Sequence, residues 1–265
     1  MDCHITRTAL TGLTILALIP AAIAEDADAP WSMAEDYYDT DALAASRDHL
    51  QHSHGGMKTS FVQADRLEYQ VFEDEDVLLL DGNAWYGGDL NKVWLKAEAE
   101  YLPDTGTLEE AELQALWSRA VSPYFDLQAG LRQDFEPRGR THAVLGFQGL
   151  APYLFELDSA AFVSTQGDLT ARIEAEYELV LTQRLILQPR AEISFSAQDI
   201  PELQTGSGLT GIDAGLRLRY EVVREFAPYI GVEWQKRLGE TGDILEAAGE
   251  ETGRTAFLIG VRAWY

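Results

Sequence analysis

The chain predicts an all-β fold: a transmembrane, up-and-down antiparallel β-barrel of about twelve strands behind a short flexible N-terminal arm. Three features predict it. From Phe61 to Tyr265, apolar and charged residues alternate with a period of two, which sets them on opposite faces of strands. Over the same stretch no convincing helix carries an apolar stripe at i, i+3, i+4, so lipid or a second sheet must cover the apolar faces. The strands run roughly nine to eleven residues, the length of a tilted bilayer crossing, with aromatics returning near their ends. A soluble two-sheet sandwich is the competing all-β reading.

The N-terminus reads as an export signal. Ala9 to Ile19 is a short apolar core behind Arg7 and ahead of Pro20, and the small pair Ala22 and Ala24 suits cleavage after Ala24, giving a signal peptide over 1–24. That core is too short to span a bilayer as a helix. Cys3, the single cysteine, falls in the removed segment, which excludes disulfide and thiolate chemistry from the expected mature chain. Asp2 and Arg7 leave together, so the net charge stays at -24. Such an acid excess argues against nucleic acid as a partner. In a barrel it belongs to the lumen, the loops and the arm, where it concentrates cations.

Residues 25–60 hold eight Asp or Glu against Arg47 and Lys58, with little periodic hydrophobicity. They predict an acidic, flexible periplasmic arm, within which a short helix over 41–51 is allowed. The barrel is expected over 61–265, with strands at 61–72, 76–87, 92–102, 109–120, 124–134, 142–150, 153–163, 170–181, 184–195, 211–221, 226–236 and 255–265. In the third strand Val93, Leu95, Ala97, Ala99 and Tyr101 oppose Trp94, Lys96, Glu98 and Glu100. In the eighth, Ala171, Ile173, Ala175, Tyr177 and Leu179 oppose Arg172, Glu174, Glu176 and Glu178. Interfacial girdles are expected from Tyr101, Trp117, Tyr124, Phe125, Tyr153, Tyr177, Tyr220, Phe226, Tyr229, Trp234, Trp264 and Tyr265. Connections at 103–108, 133–141, 164–169, 197–210 and 236–254 read as longer than those at 120–123, 150–152, 182–183 and 222–225. Short connections belong on the periplasmic side and long ones outside, and 239–251 reads as an acidic, solvated outer loop.

Two sets of residues could carry chemistry. His52, His54 and Met57 fall in the string His-Ser-His-Gly-Gly-Met, with His49 just upstream. Imidazole nitrogen with thioether sulfur suits copper, the thioether favouring Cu(I), and Gly55 and Gly56 let the chain fold back around one ion. The alternative is an acidic arm that carries its histidines without a metal. The second set is the expected lumen: Asp65 and Glu68 (on opposite parities of one strand), Asp81, Asn83, Lys96, Glu98, Glu100, Glu110, Glu112, Asp126, Gln128, Arg132, Asp134, Arg172, Glu174, Glu176, Glu178, Arg190, Glu192, Arg217, Arg219 and Glu233. Pairing of these charges across the interior is the structural expectation and an ion pathway the functional one. His142 stands alone and reads as structural or exposed. No Gly-x-Ser-x-Gly, His-Glu-x-x-His, P-loop or dinucleotide motif occurs, which points away from an enzyme.

The runs Ala64-Asp65-Arg66-Leu67-Glu68, Asp81-Gly82-Asn83-Ala84-Trp85-Tyr86-Gly87-Gly88-Asp89, Asn91-Lys92-Val93-Trp94-Leu95-Lys96, Leu116-Trp117-Ser118-Arg119-Ala120 and Gly149-Leu150-Ala151-Pro152-Tyr153 resemble copper resistance protein B, the CopB/PcoB outer-membrane family, over about residues 58–265. The resemblance implies a Gram-negative outer-membrane barrel of copper homeostasis, with copper ions, membrane lipid and a periplasmic copper protein as partners. It also implies copper binding by a Met/His-rich segment before the barrel. Here that segment is reduced to His49, His52, His54 and Met57, plus Met33, without repeated Met-Asp-His units. A structural or anchoring barrel with no metal role is the alternative.

Overall fold

The structure, a computed structural model, describes residues 32–53 and 55–265; the expected signal peptide over 1–24 and the candidate ligand His54 lie outside the described residues. Two units are distinguished, one ending at Gly55 and one spanning Gly56–Tyr265. In the first, a 3-10 turn at Ser32–Ala34 precedes helix α1, Thr40–Ser53, which includes the helix allowed over 41–51. Asp39 caps α1, its Oδ1 accepting the backbone N–H groups of Asp41 and Ala42 at 3.0 and 2.9 Å.

The second unit is one antiparallel sheet: β1 Thr59–Val71, β2 Asp76–Gly87, β3 Asn91–Leu102, β4 Thr107–Ala120, β5 Phe125–Glu136, β6 Arg140–Ala151, β7 Phe155–Ser164, β8 Leu169–Glu176, β9 Leu179–Val180, β10 Leu185–Ser196, β11 Gly208–Tyr220, β12 Phe226–Arg237 and β13 Gly253–Trp264. β1 pairs with β13, which closes the sheet into a barrel and leaves no edge for lipid to meet. Val62 and Tyr265 complete the seam with reciprocal backbone hydrogen bonds of 2.9 and 2.8 Å. Because β9 pairs with β10 alone, while β10 also joins β8 and β11, twelve long strands form the wall among the described residues. The expected strand count is met.

Burial is inverted relative to a soluble protein. Phe257 and Ile259 are 72% and 62% exposed, as the outer wall requires, while Arg217, Gln70, Gln128 and Glu68 rank among the most deeply buried large side chains. The transmembrane reading accounts for both facts at once. Exposed Trp117, Tyr124, Tyr153, Tyr220 and Phe226 stand near the strand ends on the side of Thr59 and Tyr265, here the terminal mouth. Tyr69, Tyr101, Phe135, Phe195 and Trp234 stand near the other end, the far mouth. Two aromatics assigned to the girdles stand on the lumen parity of their strands, Tyr229 buried and Trp264 still 39% exposed at the terminal mouth. Tyr229 is 4% exposed, and its ring lies over Gly260 on the paired strand, where an added Cβ would sit 2.6 Å away; a glycine there leaves room for the ring. Trp264 shares the parity of Arg262, with its ring 5.8 Å from that of Phe61.

Three further departures have local causes. β1 carries a bulge: Ala64 pairs with Gly82 and Arg66 with Asp81, leaving Asp65 as the extra residue. The bulge shifts the strand's parity, so Asp65 and Glu68 both face the lumen although an even strand would have parted them. The expected strand 170–181 is broken into β8 and β9 at Tyr177 and Glu178. Those residues lie opposite Gln188 and Pro189 of β10, and Pro189 has no N–H for the ladder. Lastly, the strands extend into most of the expected long loops, leaving only 103–106, 137–139 and 165–168 as turns. Two far connections stay long, 197–207 and 238–252, and the latter holds helix α2, Gly239–Ala248, where a helix-free loop was expected. The loops dock on each other, Thr241 Oγ1 accepting the Gly206 N–H at 2.9 Å and Glu240 the Ser207 hydroxyl at 2.5 Å.

Candidate functional site

The inward parity of the strands fills the lumen with ion pairs. On the β10–β13 side, Arg217 of β11 reaches Glu68 of β1 at 2.6 Å and Glu233 of β12 at 3.1 Å. Tyr229 donates its hydroxyl to the same Glu68 carboxylate at 2.9 Å. Arg190 of β10 forms a two-pronged pair with Glu174 of β8 at 2.7 and 2.9 Å, and also holds Glu192 at 2.7 Å. On the other side Arg66 binds Asp81 at 2.9 Å and Arg132 binds Glu112 at 2.7 Å. Other pairs cross the interior: Lys96 of β3 with Asp158 of β7, and Arg262 of β13 with Glu178 at 2.8 Å. The structural expectation of paired interior charges is met.

Arg172 of β8 joins the two sides. It contacts Glu98 at 3.1 Å, Glu112 at 3.3 Å and Glu192 at 3.4 Å, carboxylates of β3, β4 and β10. Above and below this layer the lumen opens into cavities. One, on the terminal side, has a volume of about 430 Å³ and a wall of Trp85, Trp94, Lys96, Gln148 and Asp158. The other, on the far side, has about 160 Å³ and includes Glu100, Glu110, Glu192 and Asp213. Arg66, Glu98 and Arg172 line both cavities and so form the partition between them. The terminal-side cavity is partly aromatic: the rings of Trp85 and Trp94 lie 6.0 Å apart, and Trp94 packs on the buried cluster of Leu116, Val144 and Phe162. Trp94 Nε1 is buried there with no hydrogen-bond partner among the described residues.

Most sequence-expected lumen residues point inward. Arg66, Gln70, Gln114 and Gln188 do too, and sequence reading missed them. For Arg66 the cause is the Asp65 bulge; Gln70, Gln114 and Gln188 sit on the inward parity of β1, β4 and β10. His142 is buried, not exposed, with Nε2 2.9 Å from Asp134 Oδ2. Glu100 and Glu110 face each other across the β3–β4 pair and have no ion pair among the described residues.

Of the expected metal ligands, His49 and His52 lie three residues apart on α1 and so share a side of the helix. The Nδ1–H of His52 donates to the Asp48 carbonyl at 3.0 Å, which leaves Nε2 as the lone-pair nitrogen. A backbone carbonyl holding one ring nitrogen is the usual way a metal-binding imidazole is oriented. Met57 belongs to the barrel unit just ahead of β1 and is 76% exposed. No group of three or more His, Cys, Asp or Glu is arranged to hold a metal ion among the described residues.

Comparison with known proteins shows the family and the barrel fold. The sequence profile of the copper resistance protein B precursor family (CopB) matches residues 58–265. Copper resistance protein B of Escherichia coli is 44% identical over 229 residues, covering 86% of this chain and 77% of that protein. The copper resistance protein B homolog of Pseudomonas syringae pv. tomato (strain ATCC BAA-871 / DC3000) is 40% identical over 229 residues with the same coverage, 86% and 77%. Among solved structures the NanC porin superposes with a TM-score of 0.51 at 11% identity, over 77% of this chain and 99% of that one, a likeness of fold alone.

Proposed function

Because the chain belongs to the copper resistance protein B family, we propose that it is an outer-membrane barrel of copper resistance and homeostasis, capturing copper in the periplasm for passage or retention at the barrel. Family membership over 58–265 carries this reading. In it, the terminal mouth faces the periplasm, since the two long connections lie at the other end. His52, His54 and Met57, with His49, take the ion. The free Nε2 of His52 and the exposed thioether of Met57 are donors of the type Cu(I) prefers. The acidic lumen then favours a cation over an anion. Copper is cargo here, no residue is given a catalytic role, and a periplasmic copper protein is the partner that would deliver it.

The test is a Cu(I) and Cu(II) titration of the refolded protein beside a version beginning at Ser60. Loss of binding with the arm supports the ligand set; undiminished binding in the shortened chain rejects it and moves the site to the barrel carboxylates. A second reading, an anchoring barrel without a metal role, draws on the density of cross-lumen ion pairs, which alone would rigidify the wall. Unchanged copper tolerance on deletion would favour it.

A further inference from the structure

We infer that Arg172 is the latch of a closed cation passage, a side chain whose swing would join the two lumen cavities without any movement of the wall. The partition between them consists of Arg66, Glu98 and Arg172, and only Arg172 spans the interior, from β8 to Glu98 on β3 and Glu112 on β4.

The distances assign the moving part. Each carboxylate that Arg172 touches is also held by a second arginine, and more tightly. Glu98 is 3.0 Å from Arg66, Glu112 is 2.7 Å from Arg132 and Glu192 is 2.7 Å from Arg190, against 3.1, 3.3 and 3.4 Å to Arg172. When Arg172 leaves, each carboxylate in the ring keeps contact with one arginine, so the cost that normally locks a buried ion pair is reduced. Accessibility points the same way: the Arg172 side chain is 24% exposed, against 7% for Arg66, 12% for Arg132 and 5% for Arg190. The backbone of β8 stays fixed through its ladders to β7 and β10.

The same layer sets the sign of what passes. Eight acidic and four basic side chains line the terminal-side cavity, and six acidic and four basic ones the far-side cavity. An anion would meet the acid excess in both, whereas a small cation could take the place of the guanidinium among Glu98, Glu112 and Glu192. This inference rests on the barrel interior and not on copper capture, and it is read with potassium and chloride, so its failure would leave the copper reading intact.

The experiment is conductance of the full refolded chain in planar phosphatidylcholine bilayers bathed in potassium chloride, with folding checked by the heat-dependent gel shift of a closed barrel. Arg172→Gln is expected to conduct several-fold more than the native protein and to prefer potassium over chloride. Arg254→Gln, at a partly exposed arginine of the far rim, is expected to conduct as the native protein does. If Arg172→Gln does not fold, Arg172→Lys is read instead; its ammonium is one compact charge that cannot reproduce the spread of the Nε, Nη1 and Nη2 contacts to Glu192, Glu98 and Glu112, and an increase in cation current is again expected. A folded Arg172 variant with native conductance would overturn the proposal. So would an Arg254→Gln current that rises equally, or an anion preference in the opened variant.

Discussion

Arg217 and Glu68 grip each other across the closing seam of the barrel, 2.6 and 3.1 Å apart through two parallel contacts, with the carboxylate 0% and the arginine 2% exposed. One residue sits on β11 and the other on β1, so the pair straps over β12 and β13 where the last strands meet the first. Arg217→Ala would leave a buried carboxylate short of its main counter-charge and is expected to cost about 3–5 kcal/mol of stability, read by urea unfolding in lipid vesicles. Glu68→Gln and Glu233→Gln combined with Arg217→Met are expected to recover much of that loss, because Arg217 pairs with both carboxylates and no partner charge is then left alone.

Tyr229 is a second hold on the same carboxylate. Tyr229→Phe removes one hydrogen bond to a charged acceptor and is expected to cost about 1.5–3 kcal/mol, whereas Tyr220→Phe, on the exposed outer wall, is expected to change stability little. Gly260→Ala drives a methyl into the Tyr229 ring and is expected to destabilise by about 1–3 kcal/mol in the same assay.

Deleting Asp65 tests the bulge. Without the extra residue the start of β1 would reverse its faces, sending Phe61 and Gln63 into lipid and Val62 into the lumen. Loss of the gel shift and of protease resistance is the expected result; Asp65→Asn, which keeps the register, is expected to retain both.

His142→Gln is expected to leave copper binding unchanged, since the imidazole is buried against Asp134 inside the wall. A reduced stoichiometry in the titration would place a ligand in the barrel. At the rim, Glu75→Gln should cost no more than about 1 kcal/mol, because its pair with Arg254 is partly exposed.

The period-two pattern of β3, Val93 to Tyr101, reads directly into an outer wall and a lumen because membrane strands have only two environments. Parity arguments failed where a strand is not straight. Asp65 and Glu68 conflicted in the sequence because a bulge adds a residue without a composition of its own. The break at Tyr177 and Glu178 was in principle legible, since Pro189 lies in the next strand, but only pairing reveals that the two positions are opposite. Tyr229 resembled a girdle residue by type; its inward place depends on Gly260, thirty-one positions later. The Arg172 layer was beyond pattern reading altogether, for it depends on which charges of non-neighbouring strands meet across the axis. The ligand string before the barrel was visible as composition, and the Asp48 carbonyl behind His52 emerges only once α1 is wound.

The docking of the 197–207 connection on α2 has a further consequence. Both belong to the β10–β13 flank, whereas β1 to β8 end in tight turns at 72–75, 103–106, 137–139 and 165–168. The far rim is therefore high on one flank and low on the other. A solute arriving at this mouth meets a parapet on one side and an open sill on the other, while an antibody fragment seated on α2 would hold the parapet and leave the sill clear.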